Sequence, residues 1–109
     1  MSEAHVATGA DGCLMLSGVL DYVSGPSLRR AGQALIRAGG KAEPLQIDCS
    51  AVEHSSSVGL SLLLAFTRDA LETGREVVIT GMPRDMREIA RVSGLQDVLS
   101  FADETQGAV

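Results

Sequence analysis

Short apolar segments alternate with amphipathic segments along this chain, and this alternation restricts the folds that it can adopt. Residues 13–20 are mostly apolar, as in a central strand covered on both faces, and a weaker stretch at 5–8 precedes them across a turn rich in Gly and Asp. The order β-β-α-β-α-β-α predicts an α/β fold, a mixed and mostly parallel sheet of four to five strands with an initial hairpin and three to four helices. Further strands are predicted over 45–49 and 76–80, and helices over 24–39, 57–73 and 83–93.

The remaining segments are predicted as connections and ends. Residues 50–56 are polar and are predicted to form a loop before the long helix. A closing segment after the last helix is predicted to pack on the core, through Leu95, Val98, Leu99 and Phe101. Residues 102–109 are predicted to form a flexible tail. With 109 residues and no internal linker, the chain is expected to be a single domain over 1–109 with its core at 4–101.

The charge balance and composition argue against several classes of function. Fourteen acidic residues against nine basic ones give a net charge of -5, which offers no general attraction for nucleic acid or anionic membranes. The longest apolar run, 62–66, is far shorter than the roughly 20 residues of a membrane span. The first residues also lack the pattern of a signal peptide. We therefore expect a soluble, cytoplasmic protein without direct membrane insertion and without a nucleic-acid partner.

Catalytic, metal and cofactor patterns are weak. The cysteines, Cys13 and Cys49, fall in predicted strands, where buried thiols are common, and no Cys/His cluster has the spacing of zinc ligands. A hydrolase would need His54 to act with a serine beside it, yet triads are assembled from separate elements of the fold. We expect no catalytic residue, no metal site and no cofactor.

The most unusual stretch is segment 55–60, at the start of the leucine-rich helix. One serine is enough to cap a helix, and Gly59 in the first turn costs about 1 kcal/mol relative to Ala. Three interpretations remain open: capping and internal packing, docking of a partner protein, or a phosphorylated serine at the helix N-terminus. The predicted partner-binding residues are Ser55, Ser56, Ser57, Val58, Gly59 and Leu60.

Several stretches together resemble the STAS domain family. Residues 46–52 and 56–64 are similar to the family's Asp-Leu-Ser stretch and its following Asp-Ser-Ser-Gly-Leu motif. Residues 16–21 resemble its Leu-Ser-Gly-Glu-Leu-Asp strand end, and 77–81 and 89–95 resemble its last strand and last helix. The resemblance covers residues 13–101 and implies the fold of anti-sigma-factor antagonists.

Within this family, the chain is most similar to the small STAS subunits of Mla-type phospholipid-transport ABC systems. The resemblance implies a non-enzymatic subunit that binds an MlaF-like ATPase subunit, within a complex that includes a permease. It implies a place at the cytoplasmic face of the inner membrane and a role in outer-membrane lipid asymmetry. The family's key hydroxyl falls on Ser57, with Ser56, Val58 and Gly59 beside it.

An anti-sigma-factor antagonist, controlled by phosphorylation, is the alternative that the family offers. In such proteins an Asp precedes the phosphorylated hydroxyl, which makes Ser57 the candidate phosphosite here. This chain has Ser56 in place of that Asp, and Val58 where the family often has Ser or Gly. Both differences favour a stable protein interface, and hence the transporter subunit, over a phosphorylation switch.

Overall fold

Strands and helices follow one another in the predicted order in the computed structural model, which describes residues 3–9, 12–39 and 44–95. The elements are β1 (His5–Thr8), β2 (Leu14–Leu20), α1 (Gly25–Gly39), β3 (Leu45–Ser55), α2 (Ser57–Glu72), β4 (Val77–Thr80) and α3 (Arg84–Val92). The closing residues Val98, Leu99 and Phe101 and the tail at 102–109 lie outside the described residues. Leu95, the last described residue, packs against the core.

The sheet confirms the α/β prediction and its mixed strand directions. Its strand order is β1-β2-β3-β4, with β1 antiparallel to β2 and the other two pairs parallel. The parallel pairs are connected through α1 and α2, since parallel neighbours need a crossover connection. The carboxyl ends of β2 and β3 therefore lie side by side, where Leu20 pairs with Ser55.

The sheet buries one face, which corrects the prediction for β2. Leu14, Leu16 and Leu20 are almost fully buried, whereas Met15 between them is 39% exposed. The same alternation of buried and more exposed residues runs along β4 and the first half of β3. Residues 13–20 resemble a strand covered on both faces because apolar side chains, Met15 and Val19, also occupy the more open face.

The prediction of a loop at 50–56 is wrong, because β3 continues to Ser55. Between the pairs Asp48–Met15 and Ala51–Ser17, β3 advances one residue more than β2, and it does so again before His54 pairs with Val19. These β-bulges bend the strand and break its alternation of polar and apolar residues. At the first bulge, the Ser50 amide donates to Asp48 Oδ1 at 2.9 Å.

One hydrophobic core joins the sheet to the helices, and α2 contributes most to it. Its buried side chains are Leu60, Leu62, Leu63, Phe66, Asp69 and Ala70. Gly32 of α1 lies against the ring of Phe66, which an added Cβ would overlap. In the described residues, no helix is long and apolar enough to cross a membrane.

Candidate functional site

Segment 55–60 crosses from the end of β3 into the first turn of α2, and its residues divide into two groups. Ser55, Gly59 and Leu60 are buried, and we refer to them as the inner half. Ser56 and Ser57 are exposed and Val58 is half-buried, and these residues form the outer half. Of the six residues predicted to bind a partner, only those of the outer half reach the surface of this chain.

The inner half is explained by packing within the chain. A Cβ at Gly59 would collide with Ser55 Oγ and would lie 3.2 Å from both Leu20 Cδ1 and Met86 Cε. The Ser55 hydroxyl donates to the Ser56 carbonyl at 2.7 Å, and Leu60 is 2% exposed. Internal packing, rather than the approach of a partner, therefore accounts for glycine in the first turn of α2.

The outer half begins with the N-cap of α2. Ser56 Oγ accepts a hydrogen bond from the Val58 amide at 3.2 Å, which is the bond expected of a capping serine. The Ser56 amide donates to the Leu20 carbonyl at 3.0 Å, so the cap is tied to the end of β2. The adjacent Ser57 hydroxyl forms no hydrogen bond with any of the described residues. Ser57 is exposed, and it is not needed for capping because Ser56 caps the helix.

An exposed apolar turn lies beside the outer half, and the sequence interpretation missed it. Tyr22 is 81% exposed and Val23 is 71% exposed, between β2 and α1. Asp21 Oδ1 accepts hydrogen bonds from the Val23 and Ser24 amides at 3.0 Å each, and Ser24 Oγ donates to the Val19 carbonyl at 3.0 Å. These bonds order the turn that carries the two apolar side chains.

A shallow apolar groove connects this turn to the outer half. It lies between the N-terminal halves of α1 and α2 and has a volume of about 400 Å³. Gly25 lies at this junction, where an added Cβ would be 2.9 Å from Val58 Cγ1. The residues that line the groove are Tyr22, Gly25, Pro26, Arg29, Val58, Ser61, Leu62 and Ala65.

We call the outer half together with Tyr22, Val23 and this groove the docking surface. Leu62 contributes to the groove but is 4% exposed, and Phe66 is fully buried, so neither extends the contact as a projecting side chain. The sequence did hold a clue, because Tyr22 and Val23 come just after β2 and Asp21, in a turn where polar residues are the rule.

His54 is directed to α3 and not to a serine. Its Nδ1 lies 3.9 Å from Asp85 Oδ2, and its side chain is 80% exposed. The hydroxyls of Ser55 and Ser56 are engaged with backbone groups. Among the described residues, no serine hydroxyl forms a hydrogen bond with His54, so the nucleophile–base contact that a hydrolase would use is not formed there.

The charged residues of α3 form a solvent-exposed face. Arg84, Arg87, Glu88 and Arg91 are all exposed. Arg91 Nη2 donates to Glu88 Oε1 at 2.8 Å, and this hydrogen bond, with the charge of Arg91, lowers the pKa of Glu88. No group of three or more His, Cys, Asp or Glu side chains in the described part of the chain could hold a metal ion.

Comparison with known families identifies the class of protein. The family model described as "Mlab, STAS domain" matches residues 4–100. The chain therefore belongs to the STAS domain family, and within it to the MlaB-like group. Domains of this family are generally regulatory or accessory, and they act through partner proteins. No curated protein sequence matches the chain.

Solved structures show the same fold. The chain is 27% identical to an anti-sigma factor antagonist from Mycobacterium paratuberculosis, with a TM-score of 0.72 over 98% of this chain and 92% of that one. It is 16% identical to the unphosphorylated anti-sigma factor antagonist SpoIIAA, with a TM-score of 0.69 over 97% and 93%. The phosphorylated form of SpoIIAA, a Bacillus cell fate determinant, is 17% identical, with a TM-score of 0.62 over 97% and 96%. The predicted STAS fold is thereby confirmed.

Proposed function

We propose that this chain is a non-enzymatic STAS subunit that binds the ATPase subunit of an Mla-type phospholipid-transport ABC transporter. The observation that carries the proposal is the docking surface, in which Val58 and the exposed Tyr22 line one apolar groove. The family model that matches residues 4–100 is described as "Mlab", and for this reason we propose the ATPase of an Mla-type transporter as the partner.

The docking surface has the chemistry of a protein interface. Tyr22 offers a large, rigid apolar area with a polar tip, and such residues contribute strongly to binding free energy. Around Val58, the exposed Ser57 hydroxyl can donate to or accept from the partner. Apolar burial would supply most of the binding free energy, and the hydrogen bond of the hydroxyl would fix the orientation of the partner.

Binding of this kind can support an ATPase without any chemical step. A subunit that binds the assembled or active conformation more tightly than the inactive one shifts the population towards it. Held in this way, the chain would lie at the cytoplasmic face of the inner membrane, next to the permease, without inserting into the bilayer. Its role would be to sustain phospholipid transport and outer-membrane lipid asymmetry.

The details of the outer half favour a lasting interface over a switch. Ser56 stands where the phosphorylated members of the family have an Asp, and its hydroxyl serves as the helix cap. Val58 places an apolar side chain next to Ser57, as suits the desolvated centre of a protein interface. These features support a transporter subunit.

Co-purification with the ATPase subunit encoded beside a permease tests the proposal. Ser57→Arg should abolish retention of the ATPase, because a long cation would replace a small hydroxyl beside Val58 on the docking surface. Ser93→Arg, the same change at the exposed C-cap of α3, should leave retention unchanged. Equal retention of the ATPase by both folded variants would contradict the proposal.

An anti-sigma-factor antagonist is the second candidate, favoured by the accessibility of Ser57. Its hydroxyl makes no hydrogen bond to the described residues, and a phosphate at the first turn of α2 would be stabilised by the helix dipole. The similar Mycobacterium protein is an anti-sigma factor antagonist. Intact-mass measurement after incubation with a partner kinase decides, since this candidate requires one added phosphate that Ser57→Ala removes.

A further inference from the structure

Asp69 is a buried carboxylate on α2 that lies outside the docking surface. Its side chain is 3% exposed, and no other acidic residue among those described is buried. Arg29 Nη1 donates to Asp69 Oδ2 at 2.6 Å and Nη2 donates to Oδ1 at 3.3 Å. Gln33 Nε2 donates to Oδ1 at 3.3 Å. Because Arg29 and Gln33 are one helical turn apart, α2 is tied to two successive turns of α1.

Fold stability alone does not explain an ion pair at this position. The Asp69 side chain is 3% exposed and that of Arg29 is 34% exposed, so it is mainly the carboxylate that leaves water. This costs free energy that its attraction to the partly exposed guanidinium only partly returns, and apolar side chains of similar size often stabilise a fold as well or better. An ion pair does, however, constrain the relative position of the two helices. A guanidinium that donates two hydrogen bonds to one carboxylate allows that carboxylate only a narrow range of positions.

Such a geometric constraint would act on the face of α1 that meets α2. Packed helices normally fix their relative position through side chains that interlock. At two contacts with α2, however, the residue on α1 is a glycine: Gly25 lies against Val58, and Gly32 lies against Phe66. Val58 and Phe66 therefore sit directly on the backbone of α1 at these two points, and the ion pair adds a directional contact between the helices to this packing.

Arg29 connects this ion pair to the docking surface. Its side chain lines the groove together with Pro26 of α1 and Val58 of α2, whereas Asp69 does not line the groove. We propose that Asp69 is a positioning residue: through Arg29, it holds α1 and α2 in the register in which their first turns form one docking surface. This inference rests on the proposed function of that surface.

Asp69→Asn tests the positioning role because it substitutes none of the residues that line the groove. We expect its affinity for the ATPase subunit to fall at least tenfold at a temperature where the variant is fully folded. The double variant Arg29→Leu/Asp69→Leu should recover the melting temperature of the wild type or exceed it, without recovering affinity. A folded Asp69→Asn variant that binds within twofold of the wild type would overturn the proposal, as would a double variant with wild-type affinity.

A measurement without any partner separates this proposal from the proposed function. The backbone amide NMR shifts of Gly25 and Val58 should move in Asp69→Asn, and they should stay in place in Asp48→Asn, a matched change on β3. If the wild type binds no ATPase, the proposed function fails, while these shifts still show whether Asp69 sets the register. Shifts that stay at their wild-type values in Asp69→Asn would refute the positioning role itself.

Discussion

The inner and outer halves of segment 55–60 have similar residue types but opposite surroundings. Ser55 is 8% exposed and lies over the position that Gly59 leaves open, whereas Ser57, two residues later, is exposed. The segment passes from a strand that faces the core into a helix that begins at the surface and then turns inward, so its two ends are buried and its middle residues are accessible. A serine-rich and glycine-containing stretch can therefore serve the fold with one half and a partner with the other.

Leu60→Ala should produce the largest loss of stability. The side chain is 2% exposed, and truncating a buried Leu costs about 2–5 kcal/mol through lost burial and the cavity that remains. Leu71→Ala is the control on the same helix, because Leu71 is 59% exposed and its truncation should cost less than about 0.5 kcal/mol. Urea unfolding followed by circular dichroism measures both. Equal losses would mean that the inner half is not part of the core.

Gly59→Ala should destabilise the fold by about 1–3 kcal/mol, because overpacking against Ser55 outweighs the better helix propensity of Ala. The double variant Ser55→Ala/Gly59→Ala should recover part of this loss, since it removes the oxygen that the new Cβ meets. A double-mutant cycle by thermal or urea unfolding gives the coupling free energy. A neutral or stabilising Gly59→Ala would show that space is available there and would reopen the docking interpretation of this glycine.

Ser56→Ala should cost about 1 kcal/mol, through loss of the hydrogen bond from the Val58 amide to the cap. Ser57→Ala should change the free energy of unfolding by no more than about 0.5 kcal/mol, because its hydroxyl is exposed. Both variants are compared by urea unfolding at the same pH. A larger loss for Ser57→Ala than for Ser56→Ala would show that Ser57, and not Ser56, caps α2. It would also contradict the assignment of capping to Ser56 and of partner contact to Ser57.

Most elements were predictable because their patterns are local. Helix α2 begins at Ser57, as predicted, since a serine-rich cap and a leucine-rich stripe both lie within the segment itself. The end of β3 was not predictable, because residues 50–55 are ordered by pairing with β2, which lies far away in the sequence. The bulges also remove the alternation by which a strand is recognised.

The candidate site was predictable only in outline. The position of segment 55–60 at the start of α2 follows from the sequence, but the division between its two halves depends on Leu20 and Met86, which pack on Gly59 from other elements. The groove and the Arg29–Asp69 ion pair likewise join residues that are distant along the chain. No local pattern encodes such contacts, and the position of Tyr22 after β2 is only a clue, because its 81% exposure depends on the fold.

The affinity of the purified ATPase subunit for Val58→Glu, measured by isothermal titration calorimetry, tests the central claim most directly. A carboxylate at the centre of the docking surface should weaken binding by about 2 kcal/mol or more, which is roughly thirtyfold. Val92→Glu is the matched control, because Val92 is 78% exposed at the end of α3. The account predicts wild-type affinity for Val92→Glu and a large loss for a folded Val58→Glu. Wild-type affinity for Val58→Glu would contradict it.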